Sequence, residues 1–229
     1  MKAKVFGDSS LKGVLLENGR YTVNHEWEER LSREFQCEVR NRSRFGCTIR
    51  KAMPAITRDC AEKTEEGEYV LLEFGGNDCD YPWTAISEEP DGFYVCKTPP
   101  DVFTALYAEA VERIKKSGRI PVLLSLPPIH SERYLHFVCR NGLSERNILH
   151  WLGDVDAIYR WQAHYSAIIQ NIAEKTRTAW IDLRKAFPSM QQDLVKFLCE
   201  DGIHPSRSGQ ELIYQTFRNV ISGSQLLTE

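Results

Sequence analysis

Four short stretches of the chain hold side chains that could do covalent chemistry. Gly7-Asp8-Ser9 directly follows a strand-like run. A serine there stands at the strand's end, on a turn that glycine eases, and its hydroxyl is a candidate nucleophile. Near the other end, Asp201-Gly202-Ile203-His204-Pro205-Ser206 precedes the last helical pattern. Asp and His three apart on a tight turn can set the carboxylate against one imidazole nitrogen and leave the other facing out. That is a base with its orienter. Gly75-Gly76-Asn77-Asp78 ends another strand-like run. Its glycines let the backbone approach a ligand. The Asn77 amide could donate to a developing oxyanion, a contribution of about 2.7–4 kcal/mol. Gly46, between Phe45 and Cys47, offers a further backbone N–H.

Each stretch alone also suits an ordinary turn. Their weight comes from the elements that must position them. Strand-like and helix-like segments alternate along the chain, which predicts an α/β fold with a mainly parallel sheet. Ala3–Phe6 is the first expected strand. Phe35–Asn41 alternates Phe35, Cys37 and Val39 with polar residues, as an edge strand does. Tyr69–Phe74 and Ile120–Leu126 are dense apolar runs, expected of central strands buried on both faces. Ala179–Leu183 is a weaker fifth. Helices are expected at His25–Phe35 with Asn24 as its cap, at Thr48–Ala61 started or kinked by Pro54, at Val102–Ser117, Val155–Thr176 and Ser208–Ser222. All four stretches then lie after a strand or at the entry to the last helix. A parallel sheet brings those points to one end of the molecule. There they supply nucleophile, base, orienter and oxyanion donors for acyl transfer.

The chain has 229 residues, 42% hydrophobic and 27% charged, which fits one globular domain over 1–229. A net charge of −3 argues against binding nucleic acid or an anionic membrane, either of which needs a basic face. No apolar run approaches the roughly 20 residues of a membrane span. Met1–Ser10 is too short in apolar character for a leader, and the seven cysteines are odd in number with no Cys-x-x-Cys pair. A reduced, cytoplasmic protein is the expectation.

The four stretches together resemble the blocks of the SGNH, or GDSL-type, hydrolases, named for Ser, Gly, Asn and His. They occur here in order as Ser9, Gly46, Asn77 and His204, with Asp201 three residues before the histidine. Ser10 stands where the family's other name expects leucine, which makes it a rival nucleophile. The resemblance implies a three-layer α/β/α flavodoxin-like sandwich with five strands in the order 2-1-3-4-5. It implies a serine esterase with Ser9 as nucleophile, His204 as base and Asp201 as orienter. The Ser9 N–H, the Gly46 N–H and the Asn77 amide would bind the oxyanion. No metal or organic cofactor is implied. The partner is a small-molecule ester, such as an O-acetylated carbohydrate or short-chain ester. An acyltransferase using the same acyl-enzyme and a non-catalytic carbohydrate- or lipid-binding module are the alternatives.

Two long connections, Cys79–Pro100 and Pro127–Gly153, would both sit at the carboxyl ends of strands, where open sheets bind ligands. Their Tyr81, Trp83, Phe93, Tyr94, Tyr134, Phe137 and Trp151 could line an acyl or sugar pocket, or simply pack the loops. Arg40, Arg42 and Arg44 read as a solvated strand face, His130, His136 and His150 as surface or packing residues. Cys47 and Cys79 read as small buried hydrophobes.

Overall fold

The apolar runs that begin at Tyr69 and Ile120 form the middle of a five-stranded parallel sheet. A computed structural model describes residues 1–62 and 67–223 of the protein. The expected unit over 1–229 thus includes 63–66 and 224–229, which lie outside the described residues. In chain order come Lys2–Gly7 (β1), Val14–Glu17 (β2), Arg20–Val23 (β3), Glu26–Phe35 (α1), Glu38–Asn41 (β4) and Ile49–Ala61 (α2). Tyr69–Glu73 (β5), Trp83–Glu88 (α3), Pro100–Lys116 (α4), Ile120–Leu124 (β6) and Ser131–Cys139 (α5) follow. Glu145–Leu152 (α6), Ala157–Thr176 (α7), Ala179–Ile181 (β7), Gln191–Leu194 (α8) and Arg207–Gly223 (α9) complete the set. The order across the sheet is β4-β1-β5-β6-β7. Counted over these five strands alone, that is the expected 2-1-3-4-5, with the alternating strand at the edge.

Strand side chains alternate between two faces, and each face meets its own helical layer. Phe6, Val70, Leu72 and Leu123 pack with Ile56 of α2, Phe103 and Ile114 of α4, and Ile169 of α7. Val5, Val122 and Leu124 pack with Leu31 of α1 and with Ile213 and Phe217 of α9. Helices on both faces are what let the central strands be apolar throughout.

The chain leaves β1 toward β4 on one side and returns to β5 on the other. Strand order therefore reverses between β1 and β5, whose register pairs Gly7 with Glu73. A crevice at the carboxyl ends of the two strands is the geometric result. Gly7-Asp8-Ser9 and Gly75-Gly76-Asn77 both emerge into it.

Several local expectations change. Phe35 ends α1 rather than opening a strand, because Gln36 takes a left-handed cap at φ 50° and stops the helix. The α1 helix starts at Glu26, though Asn24 Oδ1 still accepts the Glu26 N–H at 3.1 Å. Pro54 lies inside α2, whose start is set instead by Thr48 accepting the Lys51 N–H. A hairpin, β2–β3, fills the stretch after the nucleophile turn. The two long connections carry α3, α5 and α6, which share a small apolar core of Ile86, Leu135, Ile148 and Ile158.

Leu72 is fully buried at the centre of the sheet. Leu72→Ala should lower the unfolding free energy by about 2–5 kcal/mol, read from the urea midpoint, because the packed layer can refill the space only in part. A shift under about 1 kcal/mol would mean the layer collapses freely around that site.

Candidate active site

The last turn before α9 is built around one carboxylate. Asp201 Oδ1 accepts the N–H groups of Ile203 and His204, each at 3.1 Å. Asp201 Oδ2 lies 2.6 Å from His204 Nδ1. Burial alone would raise the Asp201 pKa, but the imidazole and the two backbone donors outweigh it, and the pKa falls below the ordinary carboxylate value. An anionic Asp201 takes the Nδ1 proton as a hydrogen bond, which leaves the Nε2 lone pair facing outward. His204 Nε2 is 2.9 Å from Ser9 Oγ. Ser9 therefore donates to the histidine, and the histidine donates to the aspartate.

The Ser9 turn is equally constrained. Asp8 Oδ1 accepts the Ser10 N–H at 2.8 Å, and Val14 N–H closes onto Ser9 O at 3.0 Å. Ser10 lines the same cavity, but the hydroxyl on His204 belongs to Ser9. The His204 ring is held on two sides. Phe45 stacks on it at 5.7 Å between centroids, and Tyr21 meets it edge-on at 5.5 Å.

Asn77 lines the cavity, whereas Gly46 is not among its lining residues and only its neighbour Phe45 is. Asn77 lines the cavity beside Ser9, and its Nδ2 donates to Asp8 Oδ2 at 3.0 Å. One amide hydrogen is thus engaged and a second remains for a ligand. Arg44 N–H donates to Gly7 O at 3.0 Å, so the Phe45-Gly46 turn begins beside the Ser9 turn. Phe45 lines the cavity. Asp78 ties this turn to Asn77, since both its oxygens accept the Ile49 N–H at 3.1 and 3.2 Å. Burial pushes the Asp78 pKa up to about 7.

The cavity encloses about 840 Å³ over the carboxyl ends of the strands. Of the seven loop aromatics, Tyr81, Trp83, Tyr134 and Phe137 line it. Trp151 packs behind them, 4.7 Å from Tyr81 and 6.0 Å from Tyr94. Phe93 is 92% exposed. His130 is buried and caps α5 by accepting the Arg133 N–H. Cys47 and Cys79 are buried, as read from the sequence. Tyr21, Phe45 and the buried Glu73 are site residues that the motifs alone do not point to.

The parallel three-layer sandwich carries a cavity over its switch point. The model of the GDSL-like lipase/acylhydrolase family matches residues 5–212 of the chain, which belongs to that family and is a carboxylic ester hydrolase. Solved structures with this fold include the acetylxylan esterase Axe2 from Geobacillus stearothermophilus, at 19% identity and TM-score 0.65 over 100% of this chain and 97% of that one. The lipase/acylhydrolase from Enterococcus faecalis is 18% identical, with TM-score 0.63 over 97% and 95% of the two chains. LAE5, an α/β hydrolase from the metagenome of Lake Arreo, is 20% identical, with TM-score 0.65 over 97% and 94%. No curated protein matches the chain. Among the described residues, no helix is long and apolar enough to cross a membrane.

Gly202 lets the Asp201–His204 turn close. Its φ is +73°, and a Cβ there would lie 2.7 Å from the backbone oxygen of His130. Gly202→Ala should lose about 2 kcal/mol or more of stability, by thermal unfolding, from the left-handed backbone and the clash together. It should also slow ester turnover, because relief requires the turn to shift. An unchanged melting temperature would show the turn to be looser than its contacts indicate.

Proposed function

We propose that this chain is a single-domain esterase that hydrolyses a small acyl ester through Ser9, His204 and Asp201. The observation that carries the reading is the unbroken chain from Ser9 Oγ to His204 Nε2 at 2.9 Å, and from His204 Nδ1 to Asp201 Oδ2 at 2.6 Å, with Ser9 and His204 lining one cavity and Asp201 buried behind them. His204 takes the Ser9 proton as Oγ attacks the ester carbonyl. Asp201 holds the ring in the tautomer that can accept it and stabilises the imidazolium that forms. The tetrahedral oxyanion is met by the N–H groups of Ser9 and Gly46 and by the second hydrogen of the Asn77 amide. Collapse returns the proton to the leaving alcohol and leaves an acyl group on Ser9. Water, activated by His204, then releases the acid.

The substrate proposed is an O-acetylated carbohydrate or another short-chain ester. Aromatic rings at the cavity wall suit the apolar faces of a sugar or an acyl group. One solved neighbour, Axe2, is an acetylxylan esterase.

Ser9→Ala should cut kcat on an acetate ester by at least about 10³-fold and abolish labelling by a fluorophosphonate, with the fold checked by circular dichroism. Ser10→Ala should keep both. Asn77→Ala should lower kcat by about 10²–10³-fold, the usual loss for one oxyanion donor. Turnover that survives Ser9→Ala but not Ser10→Ala would overturn the assignment of the nucleophile.

A further inference from the structure

Three carboxyl groups are buried beneath the nucleophile turn, and none belongs to the Ser9–His204–Asp201 chain. They are Asp8, Glu73 and Asp78, each no more than 2% exposed. Asp78 is accounted for by the Ile49 N–H it accepts. Glu73 has no such task. It ends β5, in register with Gly7, and lines the floor of the cavity. Its Oε2 accepts the Asp8 N–H at 3.4 Å, which sets its carboxyl beside Asp8. Asp8 in turn spreads its two oxygens between Ser10 N–H and Asn77 Nδ2, at 2.8 and 3.0 Å.

Two carboxylates buried side by side, each no more than 2% exposed, cannot both be charged, so the pair holds a proton. The donors decide where it sits. Burial raises the Asp8 pKa too, but Asp8 accepts two well-formed hydrogen bonds that favour its anion, whereas Glu73 accepts one long one. Burial and the neighbouring Asp8 charge accordingly push the Glu73 pKa well above the carboxylate range. The other groups that face the pair are Asp78, Tyr107 of α4 and His204. The positive charge that His204 carries as an imidazolium acts on Asp8.

We propose that Glu73 is a positioning residue for ester hydrolysis: as a neutral acid it donates its O–H to the Asp8 carboxylate and so fixes the Asn77 amide beside Ser9. The inference rests on the reading of Asn77 as an oxyanion donor. Glu73 does not touch the substrate. It acts through Asp8, and it acts only while protonated. Loss of its proton would break the donation and put a second anion under the forming oxyanion. Because an acid with a raised pKa sheds its proton as pH rises, the harm falls on the alkaline side.

The test follows phenyl acetate hydrolysis in a pH-stat from neutral to alkaline pH. Wild type should show a falling alkaline limb in kcat. Glu73→Gln keeps a donor on Asp8, so it should stay within about threefold of wild-type kcat at neutral pH and lack the limb. Glu73→Ala should lower kcat by at least about tenfold, part of what losing the oxyanion donor itself would remove, while KM holds within about twofold. A limb that persists in Glu73→Gln, or a Glu73→Ala loss that appears in KM instead, overturns the proposal. An infrared measurement stands beside it in case Glu73→Ala does not fold. The wild-type minus Glu73→Gln difference spectrum at neutral pH should contain the carbonyl stretch of a protonated carboxyl. Carboxylate bands in its place overturn the proposal. If wild type turns over no ester, the proposed function fails, while the infrared result still decides whether Glu73 is protonated.

Discussion

The hydrogen bond between Ser9 and His204 joins residues 195 positions apart, and the rest of the site is organised around keeping it at 2.9 Å. The parallel sheet delivers Ser9 to its carboxyl end, but it does not deliver His204, which lies on a turn beyond the last strand. The β2–β3 hairpin closes that gap. Val14 at the start of β2 donates to Ser9 O, and Leu16, two residues on, donates to Cys199 Sγ at 3.4 Å. Gly19 at the hairpin tip reaches Glu200, and Glu17 pairs with Arg207. One short strand thus touches both halves of the proposed catalytic pair. From β3, Tyr21 then presses its ring against the imidazole. Proximity of this kind is what turns an ordinary hydroxyl and imidazole into a reactive pair.

Electrostatics divide the buried carboxyls into two kinds. Asp201 receives three hydrogen bonds and a potential positive charge, so its charged form is favoured despite burial. Glu73 and Asp78 are buried beside like charges, and their neutral forms are favoured. The consequences for stability have opposite signs. The depressed Asp201 adds stability above its unfolded pKa, which is lost as pH falls through the folded value. The raised Asp78 withdraws stability as pH rises from the unfolded value, about 3.9, toward about 7. The fold therefore carries a charge penalty on the side of the molecule where an oxyanion is proposed to form. Setting two carboxyl environments apart in this way is how acid and base roles are separated at one pH.

The parts of this arrangement legible in the sequence are those with short-range signals. Gly7-Asp8-Ser9, Gly75-Gly76-Asn77-Asp78 and Asp201-x-x-His204 each sit where strand and helix patterns change, and the sheet brings them together. The Ser9, Asp201 and His204 contacts follow from that convergence. The hairpin has a signal of its own: Glu17-Asn18-Gly19-Arg20 places Asn-Gly between the apolar Val14-Leu15-Leu16 and the alternating Arg20-Tyr21-Thr22-Val23, a strong short-range hairpin cue. Asn18 and Gly19 both have positive φ, as that turn requires. Phe35 misled because an alternating pattern runs through it, while the αL cap at Gln36 has no side-chain signature. Glu73 was invisible for a different reason. A lone glutamate in an apolar run reads as a strand residue, and only the register of β1 against β5 sets it against Asp8.

The connections at Cys79–Pro100 and Pro127–Gly153 show why the site's chemistry and its shape need separate readings. Their helices α3, α5 and α6 share a small core with Ile158 at the start of α7, distinct from the two that cover the sheet. Yet the wall is not independent of the proposed oxyanion strand. Asp80 follows Asp78 by two residues, and its Oδ1 accepts both Trp83 Nε1 and Tyr134 Oη, each at 2.7 Å. Lys97 binds the other oxygen at 2.6 Å. A single side chain just past Asn77 thus anchors one wall residue from each connection. Asp80 thus joins the cavity wall to the turn that presents Asn77, so wall and turn form one hydrogen-bonded unit rather than separate parts.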